Sequence, residues 1–507
     1  MGILPKPQKI NYREGFVKIS SQTKIQGDYS VGAELFKKYL NTLDDSPNET
    51  VITVNLNEKI KREGYILNIT DGKMDVQVSD RHGAFYALES VRQLLDNGEL
   101  PCAEIDDYPS YSWRGFMLDE SRHFFGSEVV KQILDHMAYH KMNVFHWHLT
   151  DSLGWRIEIK KHPGLTSHSS IRKNTQLNDA GDMTGKEYGR GLFYTQEQIK
   201  EIIEYAHERC IMVVPEIDMP GHMVCALSLY PNLSCKGEPL EVTSCWEVDR
   251  AVGCVGNDEL LVFAKEVLGE VADLFDSPYV HIGGDEVEKK FWKACPKCQK
   301  KIKELNLKDE NELHGYFNNQ IIEFLKTKGK HLIGWNEILD ATTLDSETIV
   351  EWWNTKREKP LKWLSKGGKV ILCSWAHVYL DHPYTEKNLE KIYNYGCSAL
   401  EIDESLRKNI LGLEAPLWTE KVFNKDKLDF NLYPRLQALS EVGWTEEKNK
   451  NYKDFEIRLQ KYLDEMKNEG INFCPPNKYN PVGLKGLKQR RFVKRNDKFD
   501  PCCEMKF

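Results

Sequence analysis

The sequence predicts an α/β protein, a (β/α)8 TIM barrel preceded by a small α+β domain. Two observations carry that prediction. From Ser112 onward a strand, a loop and a helical pattern recur eight times over about 340 residues. Before that point the chain reads instead as short alternating strands and a single amphipathic helix.

Residues 1–108 make up the first unit. Segments 51–56 and 65–69 have strand composition, and Asp71-Gly72-Lys73 is a hairpin turn into a third strand over 74–78. Residues 81–95 place Ala84, Leu88, Val91 and Leu94 at helical spacing. The acidic, proline-bounded stretch 101–109 reads as a linker.

The second unit spans 109–450. Its eight candidate strands are 114–119, 143–150, 211–217, 279–283, 331–335, 348–353, 370–375 and 411–418. Ser127 reads as the cap of a helix with Val130, Ile133, Leu134 and Met137 on one face. Thr195 and Gln198 form a capping box, and residues 311–326 are helical. A third segment, 451–507, reads as a helix over 451–468 with Phe455, Leu459 and Leu463 on one face. A basic tail follows, with Lys485, Lys488, Arg490, Arg491, Lys494 and Arg495.

The eight strands converge on one stretch, Tyr279-Val280-His281-Ile282-Gly283-Gly284-Asp285-Glu286. A buried strand runs into two glycines, which permit a sharp turn or a close approach, and then into two acids. Carboxylates just past a buried strand are costly to keep there for packing alone. In such a barrel the active site lies at the C-terminal ends of the strands. The residues there, in order, are Arg114; His146, His148 and Asp151; Glu216, Asp218 and His222; Asp285 and Glu286; Trp335; Trp353; Tyr379 and Asp381; Trp418 and Glu420. A single strand-end Trp or His is usually a packing residue, but packing does not gather so many polar and aromatic side chains at one face. Together they suit a sugar: carboxylates and a guanidinium grip hydroxyls, and Trp faces cover apolar sugar surfaces. Of the adjacent pair Trp352 and Trp353 only one can face the pocket, and counting along the strand favours Trp353.

Four segments resemble those of the family 20 glycoside hydrolases, the β-N-acetylhexosaminidases. They are Trp113-Arg114-Gly115-Phe116-Met117-Leu118-Asp119-Glu120-Ser121-Arg122-His123, His146-Trp147-His148-Leu149-Thr150-Asp151, Pro215-Glu216-Ile217-Asp218-Met219-Pro220-Gly221-His222 and His281-Ile282-Gly283-Gly284-Asp285-Glu286. The resemblance covers about residues 1 to 450 and implies the same two-part architecture. It further implies an exo-acting, retaining enzyme that releases terminal GlcNAc or GalNAc from oligosaccharides or glycoconjugates. Its nucleophile would be the substrate's own 2-acetamido oxygen, closing to an oxazolinium ion. Carried over by the resemblance, Glu286 is the general acid and base and Asp285 orients the acetamido group. Tyr379 donates to the acetamido oxygen, and Trp335, Trp353 and Trp418 enclose its methyl. Arg114 would hold the 3- and 4-hydroxyls, and Asp381 and Glu420 the 4- and 6-hydroxyls. Asp151 and His222 would keep Glu286 oriented and its pKa suited to acid work.

Two rival readings stand beside this one. A metal-dependent barrel hydrolase would use His146-x-His148, but tryptophans stand where its further ligands are needed. An inactive glycan-binding protein would have no need of Asp285-Glu286. No cofactor and no metal are expected. Cys295-Pro296-Lys297-Cys298 could form half a zinc site, but no second pair follows at ribbon spacing, so a local disulfide or free thiols are expected instead.

Composition limits the partners. The net charge of −8 over 507 residues implies no polyanion, and no Gly-rich phosphate loop is present, so no nucleic acid is expected. No stretch is long and apolar enough to span a bilayer, and the first residues are not a signal peptide. Thirteen cysteines are many for a cytosolic enzyme. The expected setting is export of a processed form, periplasmic, secreted or lysosome-like, with the cytoplasm as the alternative. A homodimer is the expected alternative to a monomer.

Overall fold

The structure, a computed structural model, describes residues 2–177, 181–245 and 251–481. The basic tail lies outside the described residues. The first sheet holds β1 (Lys9–Lys18), β2 (Lys24–Gly27), β3 (Val51–Leu56), β4 (Tyr65–Thr70), β5 (Lys73–Val78) and β6 (Glu99–Asp107), in the order β1-β6-β4-β5-β3-β2. The helix Arg81–Leu94 packs its apolar face on β4 and β5.

The expected linker over 101–109 is not one, because most of it is β6, hydrogen-bonded between β1 and β4. Pro101 is tolerated there because β4 pairs only with Ala103–Asp107, so no ladder bond to β4 needs the missing N–H. β1 escaped the sequence reading because Lys9–Lys18 is largely polar and exposed, without a buried alternating face.

The second sheet closes on itself. Its staves are β7 (Trp113–Asp119), β8 (Val144–Asp151), β10 (Met212–Ile217), β11 (Tyr279–His281), β12 (His331–Trp335), β13 (Ile349–Trp352), β14 (Lys369–Leu372) and β15 (Ile410–Leu417), while β9 (Gly154–Trp155) is a hairpin off β8. All eight neighbouring pairs are parallel, and β15 against β7 closes the barrel, with Gly412 opposite Trp113. The chain therefore forms a (β/α)8 barrel preceded by a small α+β unit. Helices alternate with the staves as expected, except that Ser127 is the first helical residue. Gly126, at φ 83°, is the cap, a conformation that favours glycine.

Side-chain alternation stacks the barrel interior in layers. At the base lie Trp113, Val144, Val214, Ile333, Ile349 and Ile371. Two residues further along the same staves come His146, Glu216 and Glu351, joined by His281 and Glu414, all buried. His146 Nδ1 donates to Glu414 Oε1 at 2.7 Å, and His148 Nδ1 to Glu216 Oε2 at 2.5 Å. Above this charged belt Trp335, Cys373 and Tyr379 cluster with Trp353 and Trp418.

The α+β unit seals the base. Lys141 Nζ donates to Asp107 Oδ2 at 3.0 Å, and Trp444 Nε1 to Asp107 Oδ1 at 2.8 Å. The helix Tyr452–Asn468 adds a strap: Arg458 pairs with Glu441 at 2.7 Å, and Tyr462 Oη donates to Gln93 Oε1. The expected apolar face of this helix, with Phe455, Leu459 and Leu463, is buried.

Candidate active site

The site is built from loops that leave the top of the staves. After β11 the backbone turns through Gly283 and Gly284, at φ 66° and 84°. A Cβ on Gly283 would lie 1.9 Å from Asp218 Oδ1, and one on Gly284 2.9 Å from Ile338. Both glycines are thus required, by conformation and by close approach. The turn presents Asp285, with its side chain 13% exposed, and Glu286, 59% exposed.

A chain of charges runs to this pair. Arg122 Nη2 lies 2.7 Å from Asp151 Oδ2, and Asp151 Oδ2 lies 3.5 Å from His222 Nδ1. His222 Nε2 then sits 3.8 Å from Asp285 Oδ2 and 3.6 Å from Glu286 Oε2, so one imidazole faces both acids. Burial acts to raise the Asp151 carboxyl, but the charges of Arg122 and His222 outweigh it and hold it well below its ordinary range.

The two acids are pushed apart. Burial, aided by the charges of Glu286, Glu337 and Glu216, raises Asp285 to about 7. The imidazole of His222, 3.6 Å away, holds Glu286 below its ordinary value. This departs from the expectation that Asp151 and His222 suit Glu286 to acid work, because in the open site His222 favours the Glu286 anion. Asp218, fully buried and facing Asp285, is raised well above the carboxylate range and accepts from Gly284 N–H at 3.2 Å.

A cavity of about 340 Å³ opens over this turn. Asp285, Glu286, His222, Trp353, Tyr379, Asp381, Trp418 and Glu420 line it, together with Arg122, Trp375, His382, Pro383 and Lys421. Trp335 does not line the cavity but lies fully buried behind its aromatic wall: it donates Nε1–H to Glu216 Oε1 at 2.9 Å and packs against Trp418 with ring centres 5.9 Å apart. Trp353 stacks on Tyr379 at 6.2 Å, while Trp352 turns to the outer core, as the alternation argument requires. Glu420, raised to about 7 by burial, faces Arg122 at 3.6 Å.

Arg114 does not belong to this site. Trp113, Gly115, Met117 and Asp119 share the inward parity of β7, so Arg114 points outward. It lies five residues, about 16 Å, before the strand's top. Its guanidinium pairs with Glu63 at 2.6 Å, donates to Tyr86 Oη and to the carbonyls of Tyr111 and Lys141, and is buried against the α+β unit. The pocket's arginine is Arg122, three residues past the strand end. It contacts Asp119, Asp151 and Glu420, with its guanidinium 4.9 Å from the Trp418 ring. The position rule could have found it, since it stands just beyond the C-terminal end of the first stave. Glu337 was also missed. Its Oε2 accepts from Trp353 Nε1 at 2.8 Å, which fixes that ring.

A (β/α)8 barrel whose upper rim joins an Asp-Glu pair to an aromatic box and a ring of further carboxylates is built as a glycoside hydrolase. The sequence profile of the glycosyl hydrolase family 20 catalytic domain matches residues 111–447, and that of the family's domain 2 matches residues 1–108. The chain belongs to glycosyl hydrolase family 20. A beta-hexosaminidase of Porphyromonas gingivalis is 36% identical over 95% of this chain, which spans only 65% of that relative's length. Among solved structures, the beta-N-acetylhexosaminidase of Bacteroides fragilis superposes with a TM-score of 0.82 at 31% identity, covering 96% of this chain and 99% of that one. The exo beta-N-acetylglucosaminidase of Vibrio harveyi, solved in complex with N-acetylglucosamine, gives 0.82 at 30% identity, covering 94% and 78%.

Proposed function

We propose that the chain is an exo-acting, retaining β-N-acetylhexosaminidase that releases terminal β-linked GlcNAc or GalNAc by substrate-assisted catalysis. The observation that carries this reading is the placement of Asp285 and Glu286 on one turn, both facing His222 and both beside the Trp335–Tyr379–Trp353–Trp418 box. Neighbouring carboxylates are poorly placed to bracket an anomeric carbon, but well placed to serve the acetamido group and the leaving oxygen of one sugar.

In this reading the acetamido methyl enters the aromatic box, and Tyr379 donates to the carbonyl oxygen as it attacks the anomeric carbon. Asp285 as carboxylate accepts the acetamido N–H and offsets the positive charge growing there. Glu286 protonates the leaving oxygen and later removes a proton from water. Arg122 takes the hydroxyl-binding role expected of Arg114, with Asp381 and Glu420 on the same non-reducing side. Asp151 acts through Arg122 and His222 as a positioning residue. Export of a processed form, and units bounded near residues 108 and 450, complete the reading; activity in periplasmic or medium fractions checks the former.

The proton inventory yields a pH prediction. Working chemistry needs Asp285 ionised and Glu286 protonated, so the pair must hold one proton. The last proton leaves at about 7, the value of Asp285, after which Glu286 has none to donate. The acetamido N–H favours the Asp285 anion and the bound sugar strips water from Glu286, so substrate shifts the proton to Glu286. We expect kcat/KM to fall above pH about 7, and Asp285→Asn to move that limb to lower pH. A limb that stays in place would assign it to another group, Glu420 first.

The experiment for the overall reading is a product analysis on a chito-oligosaccharide. Monomeric GlcNAc should be the sole early product, because Asp381, Glu420 and Arg122 close the pocket behind one sugar. Internal fragments of mixed length would refute an exo-acting site.

A further inference from the structure

Four cysteines outside the pocket converge from three segments of chain. Cys254 Sγ lies 3.7 Å from both Cys295 Sγ and Cys298 Sγ, and Cys235 Sγ lies 4.0 Å from Cys298 Sγ. All four sulfurs fall within 4.8 Å of one another, three of the residues being buried and Cys235 half-buried. A disulfide would bring two of them to about 2.05 Å, and none is formed, so of the two expected alternatives, a local disulfide or free thiols, the free thiols are found. Sulfurs at the corners of a tetrahedron with metal–sulfur bonds of about 2.3 Å are separated by about 3.8 Å. The spacings of 3.7, 3.7 and 4.0 Å match those of a tetrathiolate site.

The surrounding backbone is shaped to the cluster. A Cβ on Gly256 would sit 2.3 Å from the Lys297 carbonyl carbon and from Cys298 N, so only glycine lets the strand of chain after Cys254 press against the Cys295–Cys298 turn. Cys295 caps the nine-residue helix Pro296–Glu304, whose N-terminal dipole favours thiolate. Lys297 adds a positive charge toward Cys254.

We propose that Cys235, Cys254, Cys295 and Cys298 bind one Zn2+ as a closed structural site. Binding converts four S–H groups to thiolates, releases their protons and leaves no open position for water or substrate. The sequence hid the site because the second pair precedes Cys295 and lies apart, at Cys235 and Cys254, where a ribbon would place a compact pair downstream. The metal would act through the backbone. Beside Cys254, Gly253 N–H donates to the Pro220 carbonyl at 2.8 Å and the Gly253 carbonyl accepts from Trp292 Nε1 at 2.9 Å. Gly221 in turn abuts the Asp285 carbonyl. One ion thereby fixes the loop that carries His222 to the loop that carries Asp285 and Glu286, an inference that stands whatever sugar the pocket accepts.

The test is elemental analysis of the full chain purified without added metal or a polyhistidine tag. One zinc per chain is expected, released in step with mercurial titration of the thiols, and cobalt replacement should give the intense visible spectrum of a tetrathiolate ion. Cys254→Ser combined with Cys298→Ser should lose the zinc and lower the melting temperature; if that variant fails to fold, the wild-type stoichiometry and cobalt spectrum still decide. Metal-free protein, iron in place of zinc, or a mapped disulfide among the four would overturn the proposal.

Discussion

Glu286→Gln is expected to lower turnover of a natural N-acetylhexosaminyl disaccharide by about 10²–10⁴-fold, the usual worth of a general acid. The same variant should lose far less on a nitrophenyl glycoside. A nitrophenolate departs without a proton, whereas a sugar alkoxide does not, so the penalty follows the leaving group. Glutamine is nearly isosteric and keeps a hydrogen-bonding group toward His222, which lies 3.6 Å from the carboxylate, so the geometry of the turn should survive. Asp285→Asn acts earlier, at the acetamido group, and its loss should be similar on both substrates. The contrast rests on four rates, two variants on two substrates. If Asp285→Asn proves the leaving-group-sensitive one, the two roles are reversed.

Arg114→Ala is expected to be the most damaging substitution for stability and nearly silent for chemistry. It would leave Glu63 without its guanidinium partner, now at 2.6 Å in a buried setting. It would also strip the guanidinium from the faces of Trp444 and Tyr86, whose ring centres are 5.2 and 5.5 Å away. Breaking a buried pair on one side costs about 3–5 kcal/mol, a large share of a domain's net stability. Denaturant unfolding should show that loss, while kcat and KM of the folded fraction stay near wild type. Glu63→Gln in the Arg114→Ala background should cost less than the two single losses combined, because the stranded charge is gone. An intact stability with a raised KM would return Arg114 to the pocket.

Arg114 also shows where sequence reasoning stops. The eight staves were legible because each is a short apolar run followed by a helix, and Trp353 was separable from Trp352 by counting parity. Applied to the first stave, the same count would have excluded Arg114, since inward positions fall on Trp113, Gly115, Met117 and Asp119. The motif's second arginine, Arg122, lies beyond the strand, where no periodicity points, and its place is set by Asp151 and Glu420 from other staves. Of the charged belt, His146 and Glu216 were assigned to the pocket face and His281, Glu351 and Glu414 went unremarked, because the five come from different staves and face one another only once the barrel closes. β6 was misread because proline and acid content usually mark a connection, whereas here the proline falls where no ladder bond to β4 is needed. The cysteine cluster depends on contacts up to 63 residues apart in sequence, which spacing alone does not pair.

The central claim is that the nucleophile belongs to the substrate. Its most direct test is a series of aryl β-glycosides whose 2-acetamido group carries none, one, two or three fluorines. Fluorine changes the methyl's size little but withdraws electrons from the carbonyl oxygen that must attack the anomeric carbon. Participation predicts that kcat/KM falls stepwise and steeply along the series. A flat series, with the trifluoroacetamide turned over as fast as the parent, would show that the acetamido oxygen takes no part and that a protein carboxylate is the nucleophile instead.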